Sequence, residues 1–331
     1  MILSSLSTLY GAAASWRRQW YARDPLRRRR LARPVVSVGN LRVGGTGKTP
    51  IAAHVARLLV ERGERPSILT RGYARRSRTE GVTVVSDGRA VLADLARAGD
   101  EPLMLARGLP GVPVLVAADR HAAGLLAERR LDVTVHVLDD GFQHLELIRT
   151  VDLLLIDESD LADRPLPGGR LREPLANASA ADAVLVTSPD LTTAERVGRA
   201  VGVQTVFQVT RTLGAPCALR GGDPGVIPIG SRVFAVAGIG KPERFFSDLT
   251  AAGWPIVGSL AFGDHHPFTQ RDVARIRTAA SAAAAPVVLT TEKDAVRLEA
   301  CDLQGLLIAS VPLTARIEPA SAFRAWLLDR L

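Results

Sequence analysis

The chain has 331 residues, 47% of them hydrophobic and 23% charged, with 29 Gly and 20 Pro, so it can bury a sizeable core and is too apolar to be disordered. Only two cysteines, Cys217 and Cys301, occur, far apart and outside any CxxC or Cys/His cluster, which argues against a disulfide framework or structural zinc and fits a reducing cytosol. The formal charge of +8 is local: residues 1–33 carry eight arginines against one acid, Asp24, so the rest is nearly neutral and offers no broad basic face for nucleic acid.

In chain order, Ile2, Leu6, Leu9, Ala13, Trp16 and Trp20 recur at spacings of four and three, predicting one apolar stripe of an amphipathic helix ahead of the arginine cluster. The charge follows the apolar stretch, unlike a secretory signal, and no run reaches the roughly 18–20 apolar residues of a spanning helix. Two placements stay open. The stripe packs on the domain, or it lies in the headgroup layer with its arginines on anionic lipid, where each basic residue contributes about 1 kcal/mol.

Next comes a β-branched run, Val35 to Val38, then a glycine-rich turn, then Ile51, Val55, Leu58 and Leu59 at helical spacing up to Gly63. Strand, loop and helix in that order around Val43-Gly44-Gly45-Thr46-Gly47-Lys48-Thr49-Pro50 predict a phosphate-binding loop. Small residues let amides face phosphate oxygens, Lys48 reaches the β- and γ-phosphates, Thr49 can ligate Mg2+, and Pro50 in the first turn costs no helical hydrogen bond. Arg42 stands where the standard loop has its first Gly. Val43 stands where partition-type ATPases carry a second lysine, which weakens a dimerising regulatory ATPase.

The run Val133 to Leu138 predicts a buried strand ending in Asp139 and Asp140, followed by Gly141-Phe142-Gln143-His144. At the carboxyl end of a parallel strand Asp139 is expected beside the loop, sharing Mg2+ with Thr49, with Asp140 near the same phosphates. Asp157, which ends an equally apolar strand from Val151, is a rival for the metal. Asp264-His265-His266 suggests an oriented imidazole able to join a proton relay. Only Lys48, Lys241 and Lys293 are lysines among 42 basic residues, which marks positions that prefer a compact ammonium to a planar fork.

Alternating patterns from Val35 to about Thr210 predict a P-loop NTPase-type α/β fold, a parallel sheet sandwiched by helices. After a turn-rich stretch, a smaller α/β unit is expected from strands at 233–236, 257–262 and 287–290 and helices at 242–252 and 272–280. The expected domains are an N-terminal helix and basic segment at 1–33, a nucleotide-binding domain at 34–212, a smaller closing domain at 213–312 and a C-terminal segment at 313–331.

Together the motifs closely resemble one family, tetraacyldisaccharide 4'-kinase. The matching stretches include Ser37-Val38-Gly39-Asn40 through Pro50, Thr70-Arg71-Gly72-Tyr73, Gly99-Asp100-Glu101-Pro102, Ala118-Asp119-Arg120, Asp139 to His144, Leu171-Arg172-Glu173-Pro174, Asp264-His265-His266 and Thr291-Glu292-Lys293-Asp294-Ala295-Val296. The resemblance implies transfer of the γ-phosphoryl group of ATP, with Mg2+, to the 4'-hydroxyl of a tetraacylated glucosamine disaccharide 1-phosphate at the cytoplasmic face of the inner membrane. It further implies Asp100 paired with His265 as the base, Asp139, Asp140 and Glu173 around Mg2+, and Arg120, Gln143 and His144 at the phosphate and sugar site. It also implies a peripheral enzyme resting on an anionic membrane surface, with no nucleic-acid partner. The competing reading is a P-loop regulatory or assembly ATPase that has no small-molecule acceptor.

Overall fold

The computed structural model describes residues 2–45, 47–72, 75, 81–219 and 227–331. Thr46 of the loop and Tyr73 of the T-R-G-Y stretch lie outside the described residues. The chain runs through α1 (Ile2–Arg23), β1 (Val35–Asn40), α2 (Lys48–Glu61), β2 (Pro66–Thr70), β3 (Thr83–Asp87), α3 (Leu95–Ala98), α4 (Asp100–Gly108), β4 (Pro113–Val116), α5 (Arg120–Arg130), β5 (Val135–Asp139), β6 (Val151–Asp157), β7 (Ala183–Thr187), α6 (Leu191–Ala200) and β8 (Val206–Leu213). It continues through β9 (Cys217–Ala218), β10 (Val233–Ala237), α7 (Pro242–Ala251), β11 (Ile256–Ala261), α8 (Gln270–Ala282), β12 (Val287–Thr291), α9 (Glu292–Leu298), β13 (Ile308–Val311), β14 (Leu313–Glu318) and α10 (Ala320–Leu328).

Nine strands form one sheet in the order β14-β8-β7-β6-β1-β5-β2-β4-β3, parallel except at its two edges, where β14 and β3 run antiparallel to their neighbours. Strand β1 is central and buried at every residue, flanked by β5 and β6, which explains its unbroken apolar and small-residue run. Helix α2 covers one face through Ile51, Val55, Leu58 and Leu59, all 5% exposed or less. Burying each of these contributes about 1.5–3 kcal/mol. The opposite face is covered by α5 with Leu31 and by α6. Five further strands form a second sheet, β11-β10-β12-β13-β9, with α7 on one face and α8 on the other. The final segment returns to the large sheet: β14 pairs with β8, and Phe323 of α10 meets Phe207 edge-on at 5.1 Å.

Residues 2–23 are helical, but the face that docks is not the apolar stripe. Ser7, Gly11 and Arg18, one helical face, are buried, while Leu6, Leu9, Trp16 and Trp20 point to solvent. The first of the two expected placements, with the stripe packed on the domain, is therefore corrected. Gly11 permits the contact, since a Cβ there would stand 3.0 Å from Pro174 and 3.2 Å from Pro165. Arg18 fastens the helix: its guanidinium donates to Glu173 Oε2 at 2.7 Å and Oε1 at 2.9 Å, and lies 4.0 Å from the centre of the buried Phe142 ring.

Removing one partner of a buried ion pair costs about 3–5 kcal/mol, because the other charge is left in low dielectric. Arg18→Ala is expected to undock α1 and speed amide hydrogen exchange across residues 2–23, with little change in the protection of β1 and β5. Unaltered exchange in the helix would show that some other contact holds it.

Candidate active site

The phosphate loop leaves the sheet at its centre. Beyond Asn40, Arg42 turns onto the buried Asp160 at 3.0 Å, and the amides of Val43 and Arg172 are bound by the carbonyls of Arg170 and Leu41 at 2.9 and 2.6 Å. The departure from Gly at position 42 is thus a structural ion pair that anchors the loop where it begins. Gly44 has φ 96°, and a Cβ at Gly44 or Gly45 would meet nothing within 4 Å, so this backbone is open to a ligand. Val43 is exposed, Gly47 caps α2 in the left-handed region with φ 89°, and Thr49 and Pro50 are half-buried in the first turn. The free N–H groups of that turn and the helix dipole favour an anion.

Lys48 donates to Asn40 Oδ1 at 2.9 Å and lies 3.3 Å from Asp140 Oδ1, while Arg172 grips both Asp140 oxygens at 2.8 and 3.0 Å. Burial alone would raise the Asp140 carboxyl, but Arg172 and Lys48 outweigh it and hold it well below the usual carboxylate range. Asp139, at the end of β5 and paired in register with Val38, is only 2% exposed. Its Oδ1 has no hydrogen-bond partner, and burial, with Glu101 and Asp140 nearby, pushes its pKa up to about 7. A buried carboxyl oxygen without a donor, within electrostatic reach of Lys48, fits a hard divalent cation. Among the described residues no three His, Cys, Asp or Glu side chains form a metal cluster, as suits Mg2+ held by one or two carboxylates and the phosphates themselves.

A second group of charges gathers where α4 meets α9. Asp100, 4% exposed, opens α4, and its Oδ2 lies 2.8 Å from His265 Nδ1 and 3.4 Å from Arg297 Nε. Its other oxygen accepts the Glu101 amide at 3.0 Å. Burial opposes ionisation of Asp100, but His265, Lys293 and Arg297 outweigh it and lower its pKa. His265 reaches across from the loop after β11 with φ 56°, and Asp140 has φ 55°. Both residues therefore sit in a conformation that costs side-chain-bearing residues about 1 kcal/mol or more.

A family model described as Tetraacyldisaccharide-1-P 4'-kinase matches residues 1–331. The chain belongs to this kinase family. A tetraacyldisaccharide 4'-kinase of Geobacter metallireducens is 42% identical over 302 residues, covering 90% of this chain and 88% of the relative. The enzyme of the same name from Syntrophus aciditrophicus is 37% identical over 352 residues, covering 100% and 93%. The crystal structure of the "apo" form of LpxK from Aquifex aeolicus in complex with ATP superposes with a TM-score of 0.79 at 32% identity, covering 100% of this chain and 99% of that one.

In this kinase the remaining expected residues divide. Arg120 is buried with its Nε unpartnered, and burial together with Arg71 lowers its pKa to about 10, which suits a site awaiting an anion. Gln143 donates to the Asn40 carbonyl at 3.0 Å, and His144 is kept neutral by burial and by Arg120, with a pKa lowered to about 3. Both Glu173 oxygens are taken by Arg18, and Asn177 Nδ2 adds a bond at 2.9 Å, so Glu173 anchors α1. The rival Asp157 caps a short 3-10 turn through the Ser159 amide at 3.1 Å, which occupies it locally. Sequence reasoning gave no role to Asn40 and Arg172, although both lie inside stretches it singled out. What unites them is a shared contact, since Arg172 also hydrogen-bonds Asn40 Oδ1.

Asp139 supplies a pH test. With its folded pKa raised to about 7 from the ordinary 3.8, the folded state holds the extra proton between those values. Stability of the metal-free, nucleotide-free kinase should then fall as pH rises through that window, by about 1.4 kcal/mol per pH unit at most. Urea unfolding of wild type and Asp139→Asn at pH 5, 6, 7 and 8 reads this directly. The variant is expected to lose that slope, and an equal slope in both would remove Asp139 as its source.

Proposed function

We infer that this chain is an ATP-dependent lipid kinase that moves the γ-phosphoryl group of ATP onto the 4'-hydroxyl of tetraacyldisaccharide 1-phosphate, giving lipid IVA in lipid A biosynthesis. The family membership supports the reaction. The observation that carries the site assignment is the unpartnered, buried Asp139 oxygen beside Lys48, with the Asp100–His265 pair at the start of α4.

In this reading the amides at 44–48 and the Lys48 ammonium grip the triphosphate, so Lys48 exchanges its contacts with Asn40 and Asp140 for phosphate oxygens. Asp139 and Thr49 would hold Mg2+, with Asp140 beside them. Mg2+ supplies charge neutralisation on the β- and γ-phosphates when bound. Arg120 and Arg172, each with an unpartnered buried Nε, supply cationic donors to the transferring group or to the acceptor's phosphate. Gln143 and His144 shape the sugar side. The 4'-oxygen forms its bond to γ-phosphorus as the bond from phosphorus to the β,γ-bridging oxygen breaks and ADP departs. Asp100 accepts the hydroxyl proton, which leaves late in a loose transition state and so demands only a weak base. Residues 34–212 and 213–312 act as two domains closing on the substrates, because Asp100 and His265 come from different ones.

The acceptor has four acyl chains, so the kinase works best at a bilayer. The outward Leu9, Trp16 and Trp20 side chains of α1 support a peripheral seat on the cytoplasmic face of the inner membrane. Several arginines of the basic cluster are partly engaged in the protein, such as Arg29 with Asp119 at 2.7 Å, which leaves aromatic and aliphatic side chains as the main anchor. No nucleic-acid partner is proposed.

ADP release should depend on detergent-dispersed disaccharide lipid, whereas a regulatory ATPase would hydrolyse ATP without it. Asp100→Asn is expected to lower kcat by about 10²–10⁴-fold with ATP affinity retained. Loss of nucleotide binding instead would move Asp100 to the donor site. Exchanging Leu9, Trp16 and Trp20 for Ser should free the kinase from anionic vesicles in co-sedimentation, and a variant that still pellets would place the anchor elsewhere.

A further inference from the structure

The T-E-K-D-A-V stretch enters the site through Lys293, which the reaction as described leaves unused. Its Nζ lies 3.0 Å from Glu101 Oε1 and 3.3 Å from His265 Nε2, on the edge of the imidazole remote from Asp100. The side chain is largely shielded, and it is one of three lysines in a chain with 42 basic residues. Burial disfavours its charge, yet Glu101 and Asp100 outweigh burial and raise its pKa, so it is an ammonium that donates and cannot accept.

An ammonium against Nε2 leaves that nitrogen only the accepting role. The ring proton then sits on Nδ1 and is donated to Asp100 Oδ2 at 2.8 Å. Asp264 Oδ1, at 3.9 Å, is too far to offer Nε2 an alternative hydrogen bond. Among the described residues, Asp100, Lys293 and Asp264 approach the ring, with Glu101 behind Lys293 and Arg297 behind Asp100. We propose that Lys293 is a positioning residue that fixes His265 as the neutral, Nδ1-protonated tautomer, so that the imidazole orients Asp100 as a hydrogen-bond donor. The other tautomer would turn a lone pair toward the carboxylate and release it. An imidazolium would place a second cation against the ammonium. Arg297 holds the same geometry from behind, donating to the carbonyls of His266 in the His265 loop at 3.2 Å and of Gly238, which packs beside that loop, at 3.1 Å. A compact ammonium fits between the Glu101 carboxylate and the imidazole edge, where a planar guanidinium would have to present its fork.

The catalytic consequence rests on Asp100 being the base; the tautomer does not. The test is long-range proton–nitrogen NMR on the full chain with 15N-labelled histidine, His265 being assigned by its loss in His265→Gln. Wild type should show the Nδ1–H pattern, and a wild-type Nε2–H pattern overturns the proposal with no variant involved. In Lys293→Met the His265 signals should average between tautomers, and kcat should fall about 10–100-fold with KM for ATP and for lipid within about twofold. Aminoethylation of Lys293→Cys, in a Cys217→Ser background, should restore both the tautomer and kcat. A loss confined to KM, or an unchanged kcat and tautomer in Lys293→Met, overturns it. Should Asp100→Asn keep full kcat while the tautomer behaves as stated, the base assignment fails and the Lys293 contact stands.

Discussion

The Lys48 ammonium at the mouth of β1 is the contact on which the rest of the molecule turns. A cation largely enclosed by protein must find negative partners, and here it finds the Asn40 carbonyl oxygen of the side-chain amide and the Asp140 carboxylate. Arg172 shares both partners, so two cations converge on one carboxylate and one amide. That surplus of positive charge, together with the open amides of the glycine loop, is a site built for a polyanion. Asp139 is the complement: one buried carboxyl oxygen left without a donor, which a divalent cation arriving with the polyanion would satisfy.

The second sheet matters because its residues complete the charged cluster around Asp100. Asp100 and Glu101 open α4 on the large-sheet side, and His265, Lys293 and Arg297 approach from the small-sheet side. Paired groups run along this seam from the Glu101 carboxylate through the Lys293 ammonium, the His265 imidazole and the Asp100 carboxylate to the Arg297 guanidinium. Such a chain of paired groups is low in energy only when both sides meet, so the Asp100–His265 pair is fully oriented only where they do. In the proposed reaction, ordering of the base and contact between the two sheets would be the same event.

Helix α1 inverts the ordinary logic of an amphipathic segment. Its polar and small face, Ser7, Gly11 and Arg18, binds the protein, and its aliphatic and aromatic face is turned out. The docking contacts include the buried ion pair to Glu173, the Gly168 amide donating to Ser7 Oγ at 2.8 Å and close packing on Pro165 and Pro174, and not the apolar stripe. Because Glu173 adjoins Arg172, the helix that would meet lipid is fastened one residue from a side chain that grips Asp140.

Much of this was legible in the amino-acid order because the signals are local. Apolar runs and period-3.6 patterns marked β1, α2, β5 and the β10–α7–β11–α8–β12 series, and short motifs marked the loop, the Asp139-Asp140 pair and the Asp264-His265 turn, since turn chemistry and helix starts depend on neighbours in the chain. What the order of residues could not decide was partnership across distance. Nothing near position 173 says that its carboxylate will be claimed by Arg18, 155 residues away, nor that Lys293 will stand between Glu101 and His265. Residues 1–23 carried an apolar stripe by themselves, but which face would dock depended on whether a glycine, a serine and an arginine found a matching surface on the folded domain. Those outcomes belong to tertiary structure, because pairing energies between charges appear only when the fold brings them within a few ångströms and withdraws the water between them.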